Sequence, residues 1–308
     1  MYKVLWFDDE HETLEDIKED CLLEDIQLIG YSNAKDGLKA LKEDIYRFDA
    51  VLLDGMFFND NNQTGDPSDS AFGKVAIDLS NLKAQGIVLP WFVYSGQKNF
   101  VKDKNKMIEL LTSNAFADGK VFDKNEDKDF TDLYSKIKAA ANAQTHTEVR
   151  LNNIEAFEVF QLNIIEKKHE KLLLDILVSN HDDDFKKKNI IVQRDLLEAI
   201  WKALHFNIPC IPEAFFDSTK NNKPNHEWCT LFFEGRNVNT NSGQFRIDKH
   251  IPKQISGTFR VLKESVNELS HLSDNTIIKI PMLTNTYLLI TLLIWLSSFV
   301  KKHYPNYI

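Results

Sequence analysis

The chain is poor in cysteine, with 3 in 308 residues, and sparing with proline and glycine, at 8 and 11. Three scattered thiols, Cys21, Cys210 and Cys229, exclude a disulfide framework and suit a reducing compartment. So little proline and glycine excludes collagen-like and low-complexity scaffolds. Basic side chains are in deficit: 37 Lys and Arg against 46 Asp and Glu give a net charge of −9, the reverse of a nucleic-acid binder's footprint. Long apolar runs are also missing. The longest, Tyr287–Val300, covers about fourteen residues where a bilayer span needs about twenty, so a buried helix and no membrane segment are expected. The opening MYKVLWFDDE has no basic region followed by an apolar run. No secretory signal is therefore expected, and the expected location is cytoplasmic.

The remaining composition is that of a folded protein, 43% hydrophobic and 27% charged. At this length two domains are the natural expectation. Charge divides them: residues 1–150 carry 28 acidic and 18 basic side chains, and residues 151–308 carry 18 and 19. A surplus of carboxylates in one half raises the question of a bound cation.

In the first half, short apolar runs alternate with amphipathic stretches. Strands are expected at Val4–Phe7, Ile26–Tyr31, Ala50–Leu53, Val88–Tyr94 and Val121–Phe122. Helices are expected at Thr13–Leu23, Ala34–Tyr46 with Asn33 as N-cap, Val75–Leu82, Lys106–Leu111 and Phe130–Ala141. This alternation predicts an α/β domain with a five-stranded parallel sheet covered on both faces. The polar stretch Phe58–Gly73 is longer than the usual connection of about two to six residues.

Ligands of such sheets collect at the carboxyl ends of the strands. Asp8, Asp9, Asp54, Ser95 and Lys124 all follow or close an expected strand. Three carboxylates at one edge repel one another unless a divalent cation lies among them, and an oxygen-rich set favours Mg²⁺. An ammonium and a hydroxyl beside that cation suit the stabilisation of a transferring phosphoryl group. Asp54 is the carboxylate best placed to attack it.

Four motifs in order, LWFDDE at Leu5–Glu10, VLLDG at Val51–Gly55, VYSG at Val93–Gly96 and VFDK at Val121–Lys124, carry a resemblance. Residues 1–142 resemble the receiver domain of two-component response regulators, which implies a doubly wound, flavodoxin-like fold. The resemblance implies that Asp54 is the phosphoacceptor and that Asp8, Asp9, Asp54 and the backbone carbonyl of Met56 hold Mg²⁺. It further implies that Ser95 moves toward the phosphoryl group and that Lys124 pairs with its oxygen. A histidine kinase or phosphotransfer protein is the implied donor. Two positions depart from the family pattern. Asn125 stands where proline usually follows the lysine, so a trans bond is expected there. Val121 stands where many receivers carry an aromatic residue, and strand alternation turns the neighbouring Phe122 to the opposite face.

The second half reads as mainly α-helical. Residues 143–180 are expected as a linker helix or the first helix of the second domain, and 181–308 as the output domain proper. Glu148–Val178 has the spacing of a long helix, whole or broken; Ile190–Phe206, Phe259–Leu272 and Thr286–Lys302 are further helices, with a short strand at Ile277–Ile280. Asn207–Asn225 and Arg236–His250 read as loops. Nothing here matches a helix-turn-helix, because the Asn207-Ile-Pro-Cys-Ile-Pro segment makes a poor tight turn, so DNA is not the expected partner. His205, Cys210, His226 and Cys229 have ligand chemistry for zinc but a spacing that matches no known signature. Arg260 and His271 only loosely resemble the Arg and His of helical RNase domains. The leading expectation is a response regulator whose output is a helical interaction module, with a homodimer possible through Glu148–Val178. The alternatives are a receiver-regulated enzyme acting on RNA or another phosphodiester, marked by converging polar side chains, and a transcription factor, marked by a basic helix stripe.

Overall fold

The computed structural model describes residues 1–60, 69–84, 87–97, 100, 109–110, 112–273 and 278–308. The chain divides into two compact units, Met1–Glu148 and Val149–Ile308.

Strands β1 (Tyr2–Phe7), β2 (Ile26–Tyr31), β3 (Ala50–Leu53), β4 (Trp91–Ser95) and β5 (Val121–Asp123) form one sheet in the order β2-β1-β3-β4-β5. Every pairing is parallel. Parallel strands are buried on both faces, and the side chains sort accordingly. Leu5, Phe7, Val51, Leu53, Val93 and Val121 face one layer with helices α2 (Ala34–Glu43) and α3 (Asp69–Ala84). Val4, Trp6, Leu52, Phe92, Tyr94 and Phe122 face the other with α1 (Glu15–Leu23) and α4 (Asp127–Asn142). This is the doubly wound, flavodoxin-like order, whose direction of winding reverses between β1 and β3.

Helix α2 shows how local chemistry sets the pattern. The Asn33 side chain accepts from the Asp36 N–H at 2.9 Å, closing the helix start, and Ala34, Leu38 and Leu41 turn inward. The helix stops at Glu43 rather than Tyr46, with a separate 3-10 turn at Ile45–Arg47. The fourth strand starts at Trp91, later than expected, because Pro90 has no N–H to give a ladder. Helix α3 starts at Asp69, so residues 69–73 belong to it and not to the preceding loop. Residues 61–68 of that loop lie outside the described residues, as does most of the expected Lys106–Leu111 helix.

After α5 (Thr145–Leu151), the second unit continues as α6 (Ile154–Gln161) and α7 (Glu170–His181). The expected Glu148–Val178 helix is thus broken, and Asn163, at a left-handed φ of 55°, marks one break. Then come α8 (Lys187–Phe206), the ribbon β6 (Phe216–Asp217) and β7 (Lys223–Pro224), α9 (His226–Phe233), the hairpin β8 (Val238–Thr240) and β9 (Gly243–Phe245), α10 (Lys253–Leu269) and α11 (Lys279–His303). Both segments expected as loops therefore contain short antiparallel ribbons. The expected strand at Ile277–Ile280 is corrected: Lys279 and Ile280 open α11, and residue 277 lies outside the described residues.

The core of this unit is aromatic. Trp201 of α8 is fully buried, stacks on Phe259 of α10 at 4.3 Å and meets Phe233 of α9 at 5.4 Å. Trp295 of α11 closes on Phe259 at 5.9 Å. Within this core Gln193 donates to the Met282 carbonyl at 2.9 Å and accepts from Asn285 at 3.1 Å, which satisfies polar groups that burial would otherwise penalise. Helix α11 has 25 residues and a window of mean hydropathy 1.6, enough by length and composition to cross a bilayer; half of that window is buried within the protein.

Candidate functional site

The register of the sheet aligns Phe7 with Leu53, Leu53 with Val93 and Ser95 with Asp123. The carboxyl ends of four strands thereby release Asp8, Asp9, Asp54, Ser95 and Lys124 at one edge. The Asp54 N–H donates to the Phe7 carbonyl at 2.9 Å, extending the β1–β3 ladder by one residue and fixing the start of the turn. Gly55 follows because the Phe100 ring occupies its side-chain space: a Cβ there would stand 2.6 Å from Phe100 Cδ2.

Carboxylate oxygens of Asp8, Asp9 and Asp54 lie within 4.8 Å of one another, with Asp8 and Asp54 buried and Asp9 half-buried. Lys124 Nζ donates to Asp8 Oδ2 at 2.6 Å and stands 3.5 Å from Asp54 Oδ1. Asp54 Oδ1 is buried and accepts no hydrogen bond. Asp8 Oδ1 accepts from the Glu10 N–H at 2.9 Å, and the Ser95 hydroxyl oxygen accepts from the Gln97 N–H at 3.2 Å.

Burial pushes the Asp54 carboxyl up to about 6; Lys124 opposes the rise, Asp8 adds to it, and Ser95 and the Gly55 N–H favour the charged form. Burial likewise raises Asp9, with the neighbouring Asp8 and Glu10 charges adding to it. For Lys124, burial alone would lower the ammonium, but Asp54 and Asp8 outweigh it and hold it above its ordinary range. Two buried carboxylates facing one ammonium leave a surplus of negative charge. An all-oxygen trio with a buried oxygen that accepts no hydrogen bond fits a hard divalent cation such as Mg²⁺. Met56, two residues past Asp54, packs its side chain against the α2–α3 core layer.

The residues singled out in the first half are thus brought together by the fold. Asn125 forms the turn where the family pattern has proline: its N–H and its Nδ2 both donate to Asp123 Oδ1, each at 2.9 Å. No cis peptide bond occurs among the described residues. Val121 faces the α2–α3 layer and Phe122 the opposite one, fully buried. The segment after Asp54 begins in register with the β2–α2 turn, since Phe58 N–H donates to the Ser32 carbonyl at 3.2 Å and Ala34 N–H to the Phe58 carbonyl at 2.8 Å.

In the second half the singled-out residues do not converge. His205 donates through Nδ1 to the Ile211 carbonyl at 2.9 Å, and burial pushes the Cys210 thiol up to about 11 and the Cys229 thiol further. Among the described residues, the acidic trio is the group with metal-binding spacing, so His205, Cys210, His226 and Cys229 form no zinc site. Arg260 is held by Glu234, with Nη2 to Oε2 at 2.9 Å, while His271 lies beyond the end of α10, about 16 Å along the axis.

Sequence reading missed a buried anchor at the other end of the sheet. Asp49, fully buried, accepts from the Lys3 N–H at 2.6 Å and from the Thr147 hydroxyl. An aspartate just before a strand looks like an ordinary turn residue, so nothing in the pattern singled it out.

Neither a protein-family model nor a curated protein matches the sequence. Among solved structures, a response regulator receiver domain protein from Clostridium thermocellum is similar over 46% of this chain and 95% of its own, at 18% identity and a TM-score of 0.34. The doubly wound, flavodoxin-like fold of Met1–Glu148 stands on this chain's own strand order and parallel register.

Proposed function

We propose that the chain is a response regulator in which Asp54 accepts a phosphoryl group in a Mg²⁺-dependent reaction that controls the helical second unit. The observation that carries this reading is the buried Asp54 carboxylate, flanked by Asp8 and Asp9 and facing Lys124. At neutral pH a carboxyl titrating near 6 is mainly ionised and therefore nucleophilic. One of its oxygens forms the new bond to phosphorus. The bond from phosphorus to the donor breaks, its electron pair leaves with the donor, and an aspartyl phosphate remains. A phosphohistidine of a kinase or phosphotransfer protein, or a small acyl phosphate, supplies the group.

Asp8, Asp9 and Asp54, with the Met56 carbonyl, would hold the cation, which supplies positive charge to the phosphoryl oxygens as they pass in line. Lys124, on a short tether after β5, offsets the charge that develops on the same oxygens. Ser95 supplies a hydroxyl donor from β4 and is the residue whose position registers the modification. The output follows from a changed surface on the first unit, read by the second unit or by a partner.

Beryllofluoride with Mg²⁺ tests this reading without chemistry. It should raise the thermal midpoint of the wild type and leave Asp54→Asn unmoved. An equal response from both proteins would defeat it.

A further inference from the structure

The second unit contains a cleft of about 410 Å³, within the range of about 300–1,000 Å³ typical of small-ligand sites. Its floor is apolar: Ile165, Ala199 and Ala203 are buried there. One wall is Phe206, 53% exposed although it ends the long helix α8. The ring is flanked by His205, edge-on at 4.4 Å, and by Phe216 at 5.9 Å. A half-exposed aromatic face over an apolar floor is a stacking platform.

The polar lining is unusual in kind. It consists of three carboxamides, Asn207, Asn221 and Asn222, with His169, Glu166 and two lysines. Asn207 is oriented by donating to the Ile164 carbonyl at 2.9 Å. Asn221 and Asn222 stand consecutively in the left-handed region, at φ of 53° and 51°. Two such residues in a row cost conformational energy, and strain of this kind gathers where side chains are being aimed. Charge does not define the cleft. Lys168 is paired with Glu166 at 2.6 Å and Lys202 with Glu198 at 2.9 Å. Burial holds His169 below its ordinary range, which favours the neutral imidazole with one donor and one acceptor. A carboxamide likewise offers both.

We infer that this cleft binds a neutral planar heterocycle of the nucleobase class, stacked on Phe206 and read along its edge by Asn207, Asn221 and Asn222. An apolar ring face requires the floor and wall. A rim of alternating donors and acceptors requires a ligand edge of the same kind, which bases have and simple aromatic rings lack. Each lysine already faces a carboxylate, which weakens the pull of the cleft on a phosphate.

Calorimetric titration of the full chain with adenosine, guanosine, cytidine and uridine, each alone, tests this. At least one should bind, and Phe206→Ala should weaken it by about tenfold or more, the size of a lost stacking contact. Asn222→Gly keeps the left-handed backbone and removes the carboxamide, so it should weaken binding with no loss of thermal stability. Ile191→Ala, at an exposed position of α8 outside the cleft, should change nothing. Binding by none of the four, or binding indifferent to Phe206→Ala, overturns the inference. So does a nucleoside monophosphate that binds tenfold more tightly than its nucleoside, or a single-stranded oligonucleotide that binds when no nucleoside does.

Discussion

Lys124 Nζ reaches Asp8 Oδ2 at 2.6 Å across 116 positions of chain. The ammonium sits at the mouth of β5 and the carboxylate at the mouth of β1, and Asp54, directly after β3, stands 3.5 Å from the same nitrogen. Three strand ends are thus coupled electrostatically before any cation or phosphoryl group arrives. The arrangement stores a cost: one positive group faces two buried negative ones.

That cost has a pH signature. An acid whose folded value is raised from 3.8 to about 6 destabilises the native state as pH rises through that interval. Below about pH 4 the burden is absent; above about 6 it is complete. Asp54→Asn removes it, so in chelator-treated buffer the variant should be more stable than the wild type at pH 7 by about 1–3 kcal/mol. The gain should fade below pH 4. Urea denaturation at the two pH values measures it, and a gain of equal size at both would contradict the assignment.

The opposite sign is expected at His226. Burial pulls this imidazole down to about 4, and neither ring nitrogen has a hydrogen-bond partner. The unfolded chain takes up a proton near pH 6.5 while the native one refuses it. Stability therefore falls as pH drops from about 6.5 to 4. His226→Phe should flatten that part of the wild-type profile, read from thermal midpoints at half-unit steps of pH. A variant profile parallel to the wild type would show that the imidazole is hydrated instead.

Trp201 carries the second unit's core. Its stack on Phe259 and contact with Phe233 join α8, α9 and α10. Trp201→Ala should cost about 3–5 kcal/mol, as large-to-small changes in packed aromatic cores do. Hydrogen exchange should show the lost protection in α8, α9 and α10, with the five-stranded sheet unaffected. Loss confined to α8 would mean that the stack is not a shared core.

The first unit was legible because two independent signals agree in it. Apolar runs such as Ala50–Leu53 gave the strands, and polar residues directly after them gave the site edge. Boundaries failed where a local feature outweighed periodicity: Pro90 delayed β4, and residues 69–73, grouped with the polar loop before them, joined α3 because Ala71 and Phe72 are buried in the core. In the second unit, helices were legible from spacing, but the positions of their breaks were not. Asn163 ends a turn through its backbone angle, and nothing in its neighbours' hydropathy announces that. The Asn221–Asn222 pair lay inside the segment Asn207–Asn225, which read only as a loop. Its convergence with Phe206 depends on tertiary packing that no pattern in the sequence records.

Intact-mass measurement after incubation with acetyl phosphate and Mg²⁺ tests the central claim most directly. The wild type should gain one phosphoryl group, mapped to Asp54 and abolished by chelation, while Asp54→Asn gains none. A folded wild type that stays unmodified, or a modification that survives in Asp54→Asn, would contradict it.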